Sequence, residues 1–413
     1  MKQIIITTEN YIRAAVLEEG RLLEVLEDEP KEERLAGNIY KGKVINIVPG
    51  IQAAFIDIGL KKNAFLYVGD VQKPGEEEDG KALVSAHIEN LLKEGQEVVV
   101  QISREPVGGK GARVTTRLSL PGRYAVLLPG NKSYLGISRE ITEEQERARL
   151  LELGAMYKPA EAGLIIRTLA EGVEEPEFRA DVARLQAMQE KLKQKISNPT
   201  LTGLVYSNND LLARLLRETI DERVEKIIID DGEMAELLRV RLREIKSPVA
   251  TRVWTDLKGD LFERYNVNYE IRKALLPKVP LESGGYLVIE QTEALHVVDV
   301  NSGKYIGKNS LQDTLLHLNL EAAEEIARQI KLRNLSGMII LDFIDLEKKE
   351  DWEELLAGLK KFFLRYRVKG KVMGITNLGL VEVTRKKEGQ TLKARYTEYC
   401  PHCGGKGWLE RTQ

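Results

Sequence analysis

Residues 295–345 read LHVVDVNSGKYIGKNSLQDTLLHLNLEAAEEIARQIKLRNLSGMIILDFID, and their reading decides the fold. Leu295–Val300 is a short apolar run broken only by Asp299, and Met338–Phe343 is another, broken only by Asp342. Between them Leu311, Leu315, Leu318, Ala322, Ile326 and Ile330 recur at helical spacing, which predicts a helix with Glu324 pairing to Arg328 one turn on. Gly337 is the expected stop. Strand, helix, strand at this spacing implies a crossover joining two parallel strands. A carboxylate inside a buried strand is costly. Two of them, each near the carboxyl end of its strand, ask for a reason.

Asp299 and Asn301 are two residues apart and share a strand face. Asp342 converges on them if the two strands are neighbours. The result is two hard oxygen anions and an amide at one sheet edge, with no histidine on the shared face. Such a donor set suits Mg²⁺ or Mn²⁺ better than zinc. A Mg²⁺ there polarises a phosphoryl oxygen and helps generate a hydroxide nucleophile. The competing reading is that the aspartates cap strand ends or neighbouring helices.

Length and composition bound the rest. At 413 residues the chain predicts two to four modules, and 43% hydrophobic content is enough for real cores. The net charge of −2 gives no basic signature, although RYRVKGK at 365–371 and Arg385-Lys386-Lys387 are local basic clusters. No apolar run reaches membrane-spanning length, and Met1–Asn10 lacks a secretory apolar segment. Two cysteines make no disulfide framework, so a cytoplasmic protein is expected.

Residues 37–117 hold short strands punctuated by turns, the pattern of a small barrel. Phe55 alternates away from Ala54 and Ile56, and Phe65 away from Ala64 and Leu66. Aromatics opposite an aliphatic face are how OB-folds stack single-stranded nucleic acid; the alternative is that the rings pack under loops. Lys110 is placed to meet a phosphate. Residues 73–81 read as an acidic, mobile barrel loop. Before the barrel, strands are expected at Ile4–Thr7, Ala14–Glu18 and Leu22–Leu26, then a charged linker over Glu27–Glu33.

Further on, RYAVLLPG and GLIIRT read as strands, and 141–155 and 177–196 as helices. Arg167-Thr168 at a strand end offers a guanidinium fork and a hydroxyl, which also fits a plain surface role. Lys226–Ile229 reads as a buried strand, Thr251–Leu276 as helices, and Asp230-Asp231 as turn residues. Trp352–Tyr366 is an expected helix, and Lys371–Ile375 and Gly379–Thr384 expected strands. The sequence closes on YCPHCGGKGW, where Cys400 and Cys403 form a Cys-x-x-Cys knuckle. A structural zinc takes four ligands, so two thiolates are half a site, and two chains would complete it. A redox pair is the rival, without a thioredoxin-like surround.

DVNSG followed by LNLEAAEEIARQIKLRNLSGMIILDFIDL closely resembles the catalytic core of the RNase E/G family of endoribonucleases. The resemblance implies a catalytic Mg²⁺ on Asp299 and Asp342, oriented by Asn301. It implies a multi-subdomain α/β fold: an RNase H-like subdomain (1–36 and 210–276) with an inserted S1 RNA-binding barrel (37–117) and 5′-sensor (118–209), then a DNase I-like catalytic subdomain (277–399) and a zinc-link (400–413). GNIYKGKVINIVPGIQAAFIDIG is similar to the family's S1 domain, which implies RNA contacts from Phe55, Phe65 and Lys110. GLIIRT is similar to the 5′-sensor, which implies that Arg167 and Thr168, with Gly122 and Val126, bind the 5′-monophosphate of single-stranded RNA. The Cys pair implies a Zn²⁺ shared between the chains of a homodimer. The sequence departs from the family at LAEG after Arg167-Thr168, and at Asn377, where arginine is usual; Arg385 is the nearest substitute. Family members usually continue into a small dimer-joining domain, whereas this sequence ends at Gln413, as either a natural short form or a piece of a longer chain. The expected products carry 5′-phosphate and 3′-hydroxyl ends. The rival functions are a non-catalytic S1-containing RNA-binding protein and a zinc-linked structural dimer.

Overall fold

The computed structural model describes residues 2–28, 35–72, 87–106, 110–198, 202–208, 211–245, 247–303, 311–387, 389–405 and 407. The expected acidic loop at 73–81 and most of the linker at 27–33 lie outside these residues. The fold is mixed α/β and divides into two compact units, Met1–Glu27 with Glu225–Gly232 and Trp254–Gln413, and Asp28–Val224 with Glu233–Val253.

In the first unit, the strands Tyr286–Gln291 and Leu295–Asn301 form a hairpin, and Leu295–Asn301 runs parallel to Gly337–Asp342. These lie within a six-stranded sheet completed by Lys278–Pro280, Val381–Arg385 and Gly370–Ile375. The helices Leu311–Leu332 and Lys349–Arg365 provide its cover. Their apolar stripes explain the core: Leu318, Ala322, Ile326, Ile330, Leu355 and Leu359 pack with Val298, Val300, Ile339 and Leu341.

Burial along Leu295–Asn301 alternates residue by residue, with His296, Val298 and Val300 buried and Val297, Asp299 and Asn301 less so. Gly337–Asp342 behaves alike, leaving Met338 and Asp342 exposed. The apolar runs read as buried strands that carry buried carboxylates; the structure corrects this, because the face bearing Asp299 and Asp342 is left partly open.

Two further expectations for the long helix are corrected. The helix ends at Leu332, before Gly337, and the chain turns through Asn334 at φ 52°. Arg328 pairs with Glu325 at 2.6 Å, while Glu324 pairs with Arg365 at 2.6 Å and accepts from Tyr366 Oη at 2.9 Å. Glu325 and Arg328 both point inward, at 4% and 8% side-chain exposure, so i, i+3 pairing beats i, i+4. Arg21 also pairs with Glu325. Burial pushes the Glu325 carboxyl up, but the Arg328 hydrogen bonds and the charges of Arg328 and Arg21 outweigh it and hold it below the usual carboxylate range. A depressed carboxylate contributes stability above its unfolded pKa of about 4.3 and loses it as pH falls through the lower folded value. Glu325→Gln is therefore expected to lower stability by about 2 kcal/mol at pH 7. The gap in melting temperature to the wild type should narrow at pH 3; a gap that is constant with pH would refute the pairing's contribution.

The other sheet of this unit orders Arg21–Asp28, Ile12–Glu18, Lys2–Thr7, Val224–Ile229 and Val253–Thr255. The last strand falls where only helices are expected; those are limited to Leu261–Arg264 and Val267–Leu275. Glu27 lies in a strand rather than a linker and accepts from Arg395 at 2.8 Å. Asp230 ties down the end of the first strand, accepting from Thr8 N at 2.9 Å and Thr8 Oγ1 at 3.0 Å.

In the second unit, Ile39–Val48, Ala53–Asp57, Ala64–Tyr67, Arg113–Thr115 and Glu97–Arg104 follow one another by pairing, and Glu97–Arg104 returns to Ile39–Val48. The result is a closed five-stranded barrel around Val44, Ala54, Ile56, Leu66, Val100 and Val114. A separate four-stranded sheet, Leu135–Ile137, Ala162–Ile166, Ala125–Pro129 and Leu120–Pro121, forms a core with the helices Glu144–Tyr157 and Glu175–Ile196.

Candidate functional sites

The crossover places Asp299 and Asp342 opposite one another in the parallel register. Asn301 Nδ2 donates to Asp299 Oδ2 at 2.7 Å, so the amide fixes one carboxylate. Asp299 is half-buried and Asp342 exposed, both on the open face. Partial burial raises the Asp342 pKa, and the negative charges of Asp299 and Asp345 raise it further. Asp345 is thus a third carboxylate at this edge, which the sequence reading did not single out although it stands three residues after Asp342. His296 is buried on the helix-covered face and takes no part.

Among the described residues no group of three or more His, Cys, Asp or Glu side chains is placed to hold a metal. The donor set still fits a hard divalent cation, which binds through one or two carboxylates and keeps several waters. The carboxylates' mutual repulsion is what such a cation relieves.

Asn319 was also missed. Fully buried in the helix, its Nδ2 donates to Ile344 O at 2.7 Å and its Oδ1 accepts from Ile344 N at 3.1 Å. It clamps the backbone between Asp342 and Asp345. An amide between Leu318 and Leu320 on the apolar stripe is the signal, which Gln329 beside Ile330 shares.

On the barrel, Phe55 and Phe65 are cross-strand partners with ring centroids 6.0 Å apart and planes at 69°. They are half-buried and lie outside the barrel core. Lys110 is exposed. Aromatics outside a barrel core are the kind of surface on which bases of single-stranded nucleic acid stack. Phe55→Ala or Phe65→Ala is expected to weaken binding of single-stranded RNA by about 1–3 kcal/mol. Rings acting as core would instead cost about 3–5 kcal/mol of stability with affinity per folded molecule unchanged, and melting curves with binding isotherms separate the two.

In the four-stranded sheet, Arg167 follows Ala162–Ile166 directly, and Val126 pairs with Ile165. Arg167 Nη1 donates to Gly122 O, and Arg167 N to Tyr124 O at 2.8 Å. Thr168 Oγ1 and Ser138 Oγ lie 2.8 Å apart. Gly122, Val126, Arg167 and Thr168 are therefore one neighbourhood. Burial lowers the Arg167 pKa, Glu218 and Asp181 oppose this, and Arg217 adds to it. A partly buried guanidinium under that strain gains from taking up an anion.

At the carboxyl end, Gly404 N donates to Cys400 O at 2.8 Å, and Gly407 N to Cys403 Sγ at 3.4 Å. A backbone N–H aimed at sulfur suits a thiolate, and two thiols are half the number of ligands that a structural zinc takes. No helix among the described residues is long and apolar enough to cross a membrane.

Residues 119–388 match the family model described as Ribonuclease E/G family. The chain is 38% identical over 411 residues to Ribonuclease G of Escherichia coli, covering 98% of this chain and 84% of that protein. It is 39% identical over 413 residues to Ribonuclease G of Haemophilus influenzae, covering 98% and 83%. Against Ribonuclease E of a Synechocystis species it is 38% identical over 413 residues, covering 99% of this chain and 60% of the relative. With similarity spanning nearly the whole sequence, this chain belongs to the ribonuclease E/G family of endoribonucleases.

Proposed function

We propose that this endoribonuclease of RNA processing cuts single-stranded RNA at the open sheet edge, with Mg²⁺ held by Asp299 and Asp342, and favours substrates bearing a 5′-monophosphate. The observation that carries the reading is the register pairing of Asp299 with Asp342. Bound there, Mg²⁺ supplies Lewis acidity toward a phosphoryl oxygen and lowers the pKa of water. Asn301 holds Asp299 in orientation, and Asn319 holds the turn after Asp342. The barrel's Phe55, Phe65 and Lys110 grip the strand, and Arg167 and Thr168, beside Gly122 and Val126, take the 5′-phosphate. In this reading the barrel is the S1 domain, the four-stranded sheet the 5′-sensor, the five-stranded sheet RNase H-like and the six-stranded sheet the DNase I-like catalytic part. The protein works in the cytoplasm as a homodimer sharing one Zn²⁺ through Cys400 and Cys403. Membership of a family of endoribonucleases sets aside the reading of a non-catalytic RNA-binding protein.

The test compares cleavage of one RNA sequence with 5′-monophosphate and with 5′-hydroxyl ends. Hydrogen bonds to charged groups contribute about 1.5–3 kcal/mol, so Arg167→Ala should lower the preference on the order of tenfold or more. An unchanged ratio removes Arg167 from the site.

A further inference from the structure

Asp181 lies within the helix Glu175–Ile196 and is 1% exposed. Its Oδ2 accepts from Tyr124 N at 2.8 Å and Ala125 N at 3.2 Å, and its Oδ1 from Arg123 N at 3.1 Å. Arg184 Nη2 adds a fourth bond at 2.9 Å. Three consecutive backbone N–H groups converging on one point make an anion-binding concavity, and here the protein fills it with its own carboxylate. The same turn carries both carbonyls that fix Arg167, those of Gly122 and Tyr124. The turn closes on itself through Gly122 N to Ala125 O at 2.8 Å. A Cβ at Gly122 would stand 2.6 Å from Asp181 Oδ2, so the residue at that position must be small for the carboxylate to enter.

We propose that Asp181 is a positioning residue for 5′-end recognition: by occupying the amide concavity of residues 123–125 it sets the Gly122–Ala125 turn that aims Arg167 at the RNA 5′-phosphate. The inference rests on the sensor reading above. Asp181→Asn keeps the shape but turns one oxygen into an N–H₂ group facing backbone donors. The turn then loses at least one bond and gains a donor–donor clash.

The full chain is assayed in Mg²⁺ on 5′-monophosphate and 5′-hydroxyl forms of one RNA, as wild type, Arg167→Ala, Asp181→Asn and the double variant. Asp181→Asn is expected to lower the 5′-monophosphate preference about tenfold, and the double variant no further than Arg167→Ala alone, since residues acting through one another are not additive. A merely structural Asp181 would slow both substrates equally and leave the ratio untouched, which overturns the inference. A wild type without any preference overturns the sensor reading and this inference with it. A preference lost in Arg167→Ala but kept in Asp181→Asn overturns this inference alone. If Asp181→Asn does not fold, Arg184→Ala decides. Its side chain is 44% exposed, and removing one of the two donors on Asp181 Oδ1 should lower the ratio two- to threefold. An unchanged ratio there counts against the role.

Discussion

Asp342→Asn is expected to lower RNA cleavage on the order of 10²–10³-fold or more, and Asp299→Asn likewise. Removing one preorganised charge-stabilising group from an active site costs about 10²–10³ in rate, and a metal ligand also governs whether the cation stays bound. The two carboxylates are register partners, so neither has a neighbouring carboxylate on its own strand to replace it. RNA affinity should persist, because Phe55, Phe65 and Lys110 are placed by the barrel. Rates measured across a Mg²⁺ titration, with binding measured separately, check this. A variant that cuts at near wild-type rate in Mg²⁺ would sink the two-aspartate site. Products ending in 2′,3′-cyclic phosphate would point instead to metal-free attack by the ribose hydroxyl.

Replacing Cys400 and Cys403 together by serine is expected to convert dimers to monomers. In the proposed shared site two thiolates per chain make half of a closed tetrahedral set, so wild-type protein should carry half a zinc per chain. Structural zinc binding is worth about 10–16 kcal/mol in small peptide sites. In a shared site that free energy becomes association free energy, weakened by acid because the ligands must be thiolates. Mg²⁺ should not restore the dimer. Sedimentation with metal analysis decides: one zinc per chain, or a double variant that remains dimeric, defeats the shared site.

The central crossover was legible because its signals are strong. Leu318, Ala322, Ile326 and Ile330 repeat at 3.6 residues and are fully buried, and the flanking runs are strands. Asp299 and Asn301 share a face as their spacing demands, and Phe55 and Phe65 sit outside the barrel core as alternation predicts. What failed needed a third dimension. A six-residue apolar run does not say whether one or both sheet faces are covered, so carboxylates read as buried proved half-buried or exposed. Glu324 and Glu325 both lie one turn from Arg328, and inward facing selected Glu325. Val253–Thr255 is too short for periodicity to reveal; its pairing is tertiary. Asp181 serves a turn far earlier in the chain, and no local pattern connects the two.

The clamp between Asn319 and Ile344 sets the cooperativity of the sheet edge that carries Asp299 and Asp342. Donor and acceptor of one amide engage both backbone groups of a single residue, so the segment between Asp342 and Asp345 cannot peel off while the helix is intact. That helix buries Leu318, Ala322, Ala323, Ile326, Ala327 and Ile330 in the core beside the sheet. Opening of the edge is therefore tied to unfolding of the core rather than to loop fraying. In the proposed reading, a phosphodiester arriving there meets carboxylates whose spacing is already fixed, and the entropy of ordering them was spent when the chain folded.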